Sequence, residues 1–157
     1  MKLFTIGHSS RTFSELIQIL LEYRIETLVD VRRYPQSKRF PHFNRVKFEN
    51  ALRSEGIQYY WLGELLGGFR TEDYTEYVKT DAFVNGINQI IKIAGNALTG
   101  LLCSELNWSR CHRQYIADCF VRMGYKVTHI INEHQKSKHT LRVADKTRES
   151  ILPDFLG

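Results

Sequence analysis

The sequence predicts a single α/β domain of three layers, Rossmann-like, with a mostly parallel five-stranded sheet and helices on both faces. Three observations lead there. Apolar, β-branched runs alternate with stretches of helical period along nearly the whole chain. The most continuous apolar run, residues 97–103, suits a central strand buried on both faces. The chain has 157 residues, 43% of them hydrophobic and 25% charged, which is enough for one substantial core and cramped for two.

Residues 2–6 read as the first strand, broken by Gly7; Thr12 and Glu15 then form a capping box ahead of Phe13, Leu16, Ile17, Leu20 and Leu21 at helical spacing. Residues 27–31 are the second strand, and the loop after it holds Pro35 and Pro41, two of the three prolines, which discourage regular structure. Asn44 can cap a helix carrying Phe48, Ala51 and Leu52 that stops near Gly56, and residues 57–62 form the third strand. Residues 63–70 are a glycine-bearing loop and 73–78 add a helical turn. Asp81 begins a helix with Phe83, Val84, Ile87, Ile91 and Ala94 on one side, ending at Gly95-Asn96. The central strand follows, then a loop over 104–110. From Cys111 a helix turns Ile116, Cys119, Phe120 and Met123 inward, and residues 125–131 supply the fifth strand. On this reading residues 1–132 are the α/β domain, and the polar, basic residues 133–157 are an extension or an edge element of it.

The net charge is +5, and its distribution is local: Arg32, Arg33, Lys38, Arg39, Arg45 and Lys47 fall between positions 32 and 47 without an acid. Such a stretch is either an anion-binding surface, for which phosphate is the commonest biological ligand, or a solvated loop. No apolar run reaches the ~18–20 residues a membrane helix needs, and no secretory-type segment opens the chain, so a cytoplasmic protein without membrane contact is expected. Three cysteines without a secretory signal do not suggest a disulfide framework; thiol chemistry, metal binding and core packing stay open.

In an open parallel sheet, ligands bind beyond the carboxyl ends of the strands. Sorted by that rule, the reactive residues gather on one rim: His8, Ser9, Ser10 and Arg11 after the first strand, Asp30-Val31-Arg32 at the end of the second, Glu64, Gly67, Gly68 and Arg70 after the third, and Cys103-Ser104-Glu105 and Cys111-His112-Arg113 around the loop after the fourth. Thr5-Ile6-Gly7-His8-Ser9, Asp30-Val31-Arg32, Leu62-Gly63-Glu64-Leu65-Leu66-Gly67-Gly68, Cys103-Ser104-Glu105 and Cys111-His112-Arg113 together resemble the motifs of a prokaryotic family known as domain of unknown function 488, in the right order over residues 3–131. The resemblance implies a compact α/β domain with a polar site at those motifs. It brings no reaction and no cofactor.

Cys111 lies at an expected helix N-terminus among Arg110, His112 and Arg113, which favours a nucleophilic thiolate, with His112 as proton carrier and Glu105 as its orienting carboxylate. The plain alternative is a semi-buried cysteine at a helix start. His8 is a candidate general acid or base. Asp30, ending an apolar strand, needs a partner such as Arg32 or Arg11, in a structural pair or a catalytic one. Arg11, Arg32, Arg33, Lys38, Arg39 and Arg113 are candidate phosphate contacts, and the aromatics interleaved with the basic loop suit base stacking or anchor the loop.

A cysteine-phosphatase or sulfur-transfer loop would place an arginine after five intervening residues, where this chain has Ser109 and Ala117. Cys103 and Cys111-His112 are not at a standard zinc spacing, and no dinucleotide fingerprint or Walker loop occurs, so neither metal nor cofactor is expected. The first functional expectation is an enzyme of unknown reaction on a nucleotide or nucleic acid, by transfer through a cysteine adduct or by acid/base cleavage. The alternatives are a non-catalytic nucleotide or nucleic-acid sensor and an interaction protein using the basic tail.

Overall fold

A computed structural model describes residues 1–141. Its strands, β1 (Lys2–Gly7), β2 (Thr27–Asp30), β3 (Gln58–Trp61), β4 (Thr99–Cys103), β5 (Lys126–Ile130) and β6 (Lys136–Lys138), form one sheet in the order β3-β2-β4-β1-β5-β6. The first five are parallel, and β6 runs antiparallel to β5. The sheet therefore has six strands where five were expected. Lys-Ser-Lys carries no apolar alternation, so periodicity does not reveal it, and lysines suit an exposed edge. Residues 142–157, the rest of the basic extension, lie outside the described residues.

The helices are α1 (Phe13–Glu22), α2 (Arg45–Ser54), α3 (Gly63–Leu66), α4 (Tyr74–Tyr77), α5 (Asp81–Ala94) and α6 (Arg113–Arg122). Side chains alternate across each strand, so β1 sends Phe4 and Ile6 to one core with Leu20, Phe48 and Leu52 of α1 and α2, and Leu3 to another with Ile87 and Phe120 of α5 and α6. These are the three layers. Thr12 Oγ1 accepts from the Glu15 amide at 3.1 Å, as the capping box requires, and Thr80 caps α5 in the same way at 3.3 Å. Asn44 precedes α2, but its Oδ1 accepts from the Ser37 amide at 2.6 Å and so ties down the basic loop. The short helix α3 lies within the stretch expected to be loop.

The edge at β6 is secured by a buried polar chain. Its donors run one way, toward the Asp118 carboxylate. Arg113 Nη1 donates to Thr5 Oγ1 (3.4 Å), Thr5 to His129 Nδ1 (2.6 Å), His129 Nε2 to His139 Nδ1 (2.8 Å), and His139 Nε2 to Asp118 (2.6 Å). Burial, helped by the neighbouring His139 and Arg113, pushes His129 down to about 3, and the Trp108 ring stacks on it at 4.2 Å. His129 therefore stays neutral and joins β1, β5, the end of β6 and α6 at once.

Topology also locates the crevice. β4 lies between β2 and β1, yet the helices that follow β1 and β2 pack on one face and the helix that follows β4 on the other. At their carboxyl ends the three chains part in opposite directions, the geometry that opens a binding crevice in parallel sheets.

Candidate functional site

Past the strand ends the backbones stay paired: the His8 amide donates to Cys103 O (2.8 Å), Ser9 to Ser104 O (3.0 Å) and Val31 to Leu102 O (2.9 Å). Gly7 lies so close to the Glu105 carbonyl that a Cβ would collide with it. These contacts hold the three loops around a cleft of about 1170 Å³, whose floor is formed by His8, Arg32, Cys103, Cys111 and His112.

Two sulfurs sit side by side in that floor, Cys103 Sγ and Cys111 Sγ, 2.7 Å apart. Cys111 Sγ also accepts from the amide of Arg113, the first residue of α6, at 3.5 Å and lies 3.6 Å from His112 Nδ1. The helix begins two residues after Cys111, later than the sequence suggests, and the sulfur takes one of the free amides at its positive end. The hydrogen bond from Cys103 pulls the Cys111 thiol well down; burial opposes this, and His112 and Arg113 reinforce it. Burial, together with the same hydrogen bond, pushes Cys103 well up. These opposite shifts favour Cys103 as the donor and Cys111 as the acceptor of the hydrogen bond between them. His112 Nε2 donates to the Val31 carbonyl at 2.9 Å, which leaves Nδ1 as the nitrogen facing Cys111 Sγ. Beside it, Gly68 is close enough that a Cβ would sit 3.3 Å from Nδ1, and the Tyr74 ring centre lies 5.5 Å from the imidazole.

The other half of the floor is saturated. Asp30, fully buried, accepts from Arg32 through the amide (3.1 Å), Nε (2.9 Å) and Nη2 (2.7 Å), and from the Tyr59 hydroxyl (2.5 Å). Arg32 Nη2 also donates to the Phe43 carbonyl at 2.8 Å, and Nη1 reaches His8 Nε2 at 3.4 Å. His8 Nδ1 donates to Ser9 O (2.8 Å) and its ring stacks on Phe43 at 4.3 Å. Burial lowers His8 to about 4, with Arg32 adding to the shift, so it is a neutral acceptor at pH 7.

A family model described as a domain of unknown function, DUF488, matches residues 12–120. The chain belongs to that family. No curated protein and no solved structure matches it significantly. The DUF488 segment contains Asp30, Cys103, Cys111 and His112; His8, which follows β1 and precedes that segment, also lines the cleft.

Of the residues singled out in the sequence, His8, Arg32, Arg33, Arg39, Glu105, Cys111 and His112 line the cleft. Asp30, Lys38, Arg11 and Arg113 do not. Asp30 lies beneath it, partnered by Arg32 rather than Arg11. Lys38 lines a neighbouring groove with Arg45, Lys47 and Trp61. Arg11 donates to the carbonyls of Gly7 and Ile131, and buried Arg113 to Glu105 O (2.5 Å), so both stitch loops together instead of facing a ligand. Glu105 does not orient His112: its Oε1 accepts from the Asn107 amide at 3.4 Å, and the Val31 carbonyl holds His112 instead. Phe43 anchors the basic loop, fully buried against Phe48 at 5.4 Å.

Sequence reasoning offered Tyr34, among the aromatics of the basic loop, for base stacking, but missed the pairing of Cys103 with Cys111 and the exposed Phe69 beside Tyr34 at the cleft mouth. Tyr34 and Phe69 are 64% and 87% exposed, with ring centres 6.2 Å apart. Phe69 holds φ at +57°, a conformation unusual outside glycine, and the only local hint is its place right after Gly67-Gly68. Among the described residues, no three His, Cys, Asp or Glu side chains are grouped to hold a metal ion, and no helix is long and apolar enough to cross a membrane.

Proposed function

We propose that this protein is an enzyme whose Cys111 thiolate attacks a nucleotide, or an exposed nucleotide of a nucleic acid, seated in the cleft. The observation that carries the reading is Cys111 Sγ itself, held by Cys103, the Arg113 amide and His112 at the base of a cleft walled by arginines and aromatics. Arg33, Arg39 and Arg110 supply guanidinium groups, and Arg33 Nη1 is buried without a hydrogen-bond partner, a donor that a phosphate oxygen would satisfy. Tyr34 and Phe69 offer exposed faces on which a base can stack.

Between the two chemistries, the side chains favour transfer through a cysteine adduct. Acid/base cleavage of a glycosidic bond uses two carboxyl groups flanking that bond; here Asp30 is engaged by Arg32 and Tyr59 below the floor, and of the carboxylates lining the cleft Glu105 takes the Asn107 amide and Glu72 the Thr71 hydroxyl, whereas Cys111 is the group its neighbours activate. In the adduct route, Cys111 sulfur forms a bond to the electrophilic atom of the substrate. The leaving group departs with the bonding electrons and takes a proton from His112 Nδ1. Water or another acceptor then displaces the sulfur and returns its proton to Nδ1.

The test is intact-protein mass spectrometry after acid quenching, with nucleoside mono-, di- and triphosphates and short oligonucleotides as probes. A covalent increment on Cys111, absent from Cys111→Ser, is expected, with nucleotide binding that weakens as salt rises. Salt-sensitive binding that Cys111→Ser retains, with no adduct in the wild type, would replace the enzyme by a sensor. No binding at all would remove both.

A further inference from the structure

We propose that Cys103 and Cys111 form a reversible intramolecular disulfide when a hydroperoxide reaches the cleft, with Cys111 as the reacting and Cys103 as the resolving cysteine. This inference does not rest on the nucleotide reading. The two sulfurs are 2.7 Å apart, well inside ordinary non-bonded contact and longer than the ~2.05 Å of a disulfide, so closing the bond needs little movement. Both are free, and both line the cleft floor, where a small oxidant has access although each residue is largely buried.

The surroundings divide the roles. Cys111 receives the Arg113 amide and faces His112 Nδ1, which together stabilise an anionic, nucleophilic sulfur. Among the described residues, Cys103 Sγ bonds its neighbour's sulfur and the Glu105 carbonyl at 3.9 Å, and burial favours its protonated form. An activated thiolate beside a resolving thiol is the arrangement expected of a peroxide-sensitive pair. Cys119, on α6, is the internal control: it is buried in the core, its thiol is pushed up to about 12 by burial, and it does not line the cleft.

The chemistry balances with one hydroperoxide. Cys111 sulfur attacks the terminal peroxide oxygen, the O–O bond breaks, and the departing alkoxide or hydroxide takes the proton that Cys111 had given up to His112 Nδ1. Cys111 is now a sulfenic acid. Cys103 sulfur attacks it, the S–S bond forms, and hydroxide leaves with the Cys103 proton as water. Two thiols are oxidised and one peroxide is reduced to an alcohol or water. A cellular dithiol reverses the step by thiol–disulfide exchange.

The experiment treats the full chain with hydrogen peroxide at pH 7 and follows it by thiol titration, intact mass and peptide mapping. The expected result is a fall from three free thiols to one, the loss of two hydrogens and a Cys103–Cys111 cross-linked peptide, all reversed by dithiothreitol. In Cys103→Ser, Cys111 should stop at a sulfenic acid that a carbon nucleophile such as dimedone traps. Three thiols surviving peroxide, a cross-link between separate chains, or sulfinic acid at Cys111 without a cross-link in the wild type would each overturn the proposal. None of these readouts involves a nucleotide, so failure here leaves the adduct assay standing, and failure of that assay leaves this pair standing.

Discussion

Two polar clusters share the floor of the cleft, and they are built on opposite principles. The Asp30–Arg32–Tyr59–His8 cluster is closed: Asp30 accepts four hydrogen bonds from Arg32 and Tyr59, and both nitrogens of His8 have partners. The Cys103–Cys111–His112 cluster is open. Its central sulfur is shifted toward the thiolate by its neighbours, and its histidine turns Nδ1 toward that sulfur. The first arrangement resists change because removing Asp30 or Arg32 strands the other's buried charge, and removing Tyr59 or His8 takes a hydrogen bond from a buried polar partner. The second invites reaction because its charge is held by weak donors and faces the cleft. Burial alone does not separate scaffold from chemistry here; saturation does.

The comparison breaks most severely at Asp30. Asp30→Ala leaves Arg32 buried without its carboxylate and should cost about 3–5 kcal/mol in urea unfolding. A loss under about 1 kcal/mol would show that the cluster is not the scaffold described.

Next in size is acid. His8 is held neutral, lowered from 6.5 to about 4, while in the unfolded chain it protonates near 6.5. The unfolded state therefore binds more protons between these values, and the stability from neutral burial is present above pH 6.5 and lost as pH falls through about 4. For His8 the loss amounts to about 3 kcal/mol at most, and His8→Gln should flatten the acid limb of the stability curve. Parallel wild-type and variant curves would contradict it.

A smaller effect tests the open cluster. His112→Ala should slow alkylation of Cys111 at pH 7 by about tenfold while costing only about 1 kcal/mol of stability, the worth of its bond to Val31. An unchanged alkylation rate would mean that His112 does not activate the sulfur.

The smallest stability change belongs to the cleft mouth. Phe69→Gly relieves a left-handed backbone and removes an exposed ring, so stability should rise by up to about 1 kcal/mol. Under the proposed function, nucleotide affinity should drop roughly tenfold, as loss of one base-stacking face implies. Stability that falls instead would give Phe69 a packing role.

Much of this was legible beforehand. Thr12 and Glu15 marked the start of α1, the apolar run marked β4 as a buried strand, and the strand-end rule placed His8, Arg32, Cys111 and His112 around one crevice. Other features were not. The cluster through Thr5, His129, His139 and Asp118 joins residues up to 124 positions apart, and no local pattern announces it. Glu105 was the natural partner for His112 by charge, yet a backbone carbonyl took that place, because carbonyls have no sequence signature. Arginines looked alike along the chain, but Arg11 and Arg113 bind loop carbonyls while Arg33 and Arg39 face the cleft.

By itself, the sequence determined the alternation of strands and helices, the Thr12 cap of α1, the absence of a dinucleotide loop and the chemical inventory of the rim, since each depends on near neighbours and periodicity. Only the tertiary structure decided that β4 slips between β2 and β1, that Lys136–Lys138 pair with β5, and that Cys103 Sγ meets Cys111 Sγ. Those outcomes depend on which distant surfaces pack together, and a side chain buried by such packing acquires its charge and its reactivity from whatever partner the packing delivers.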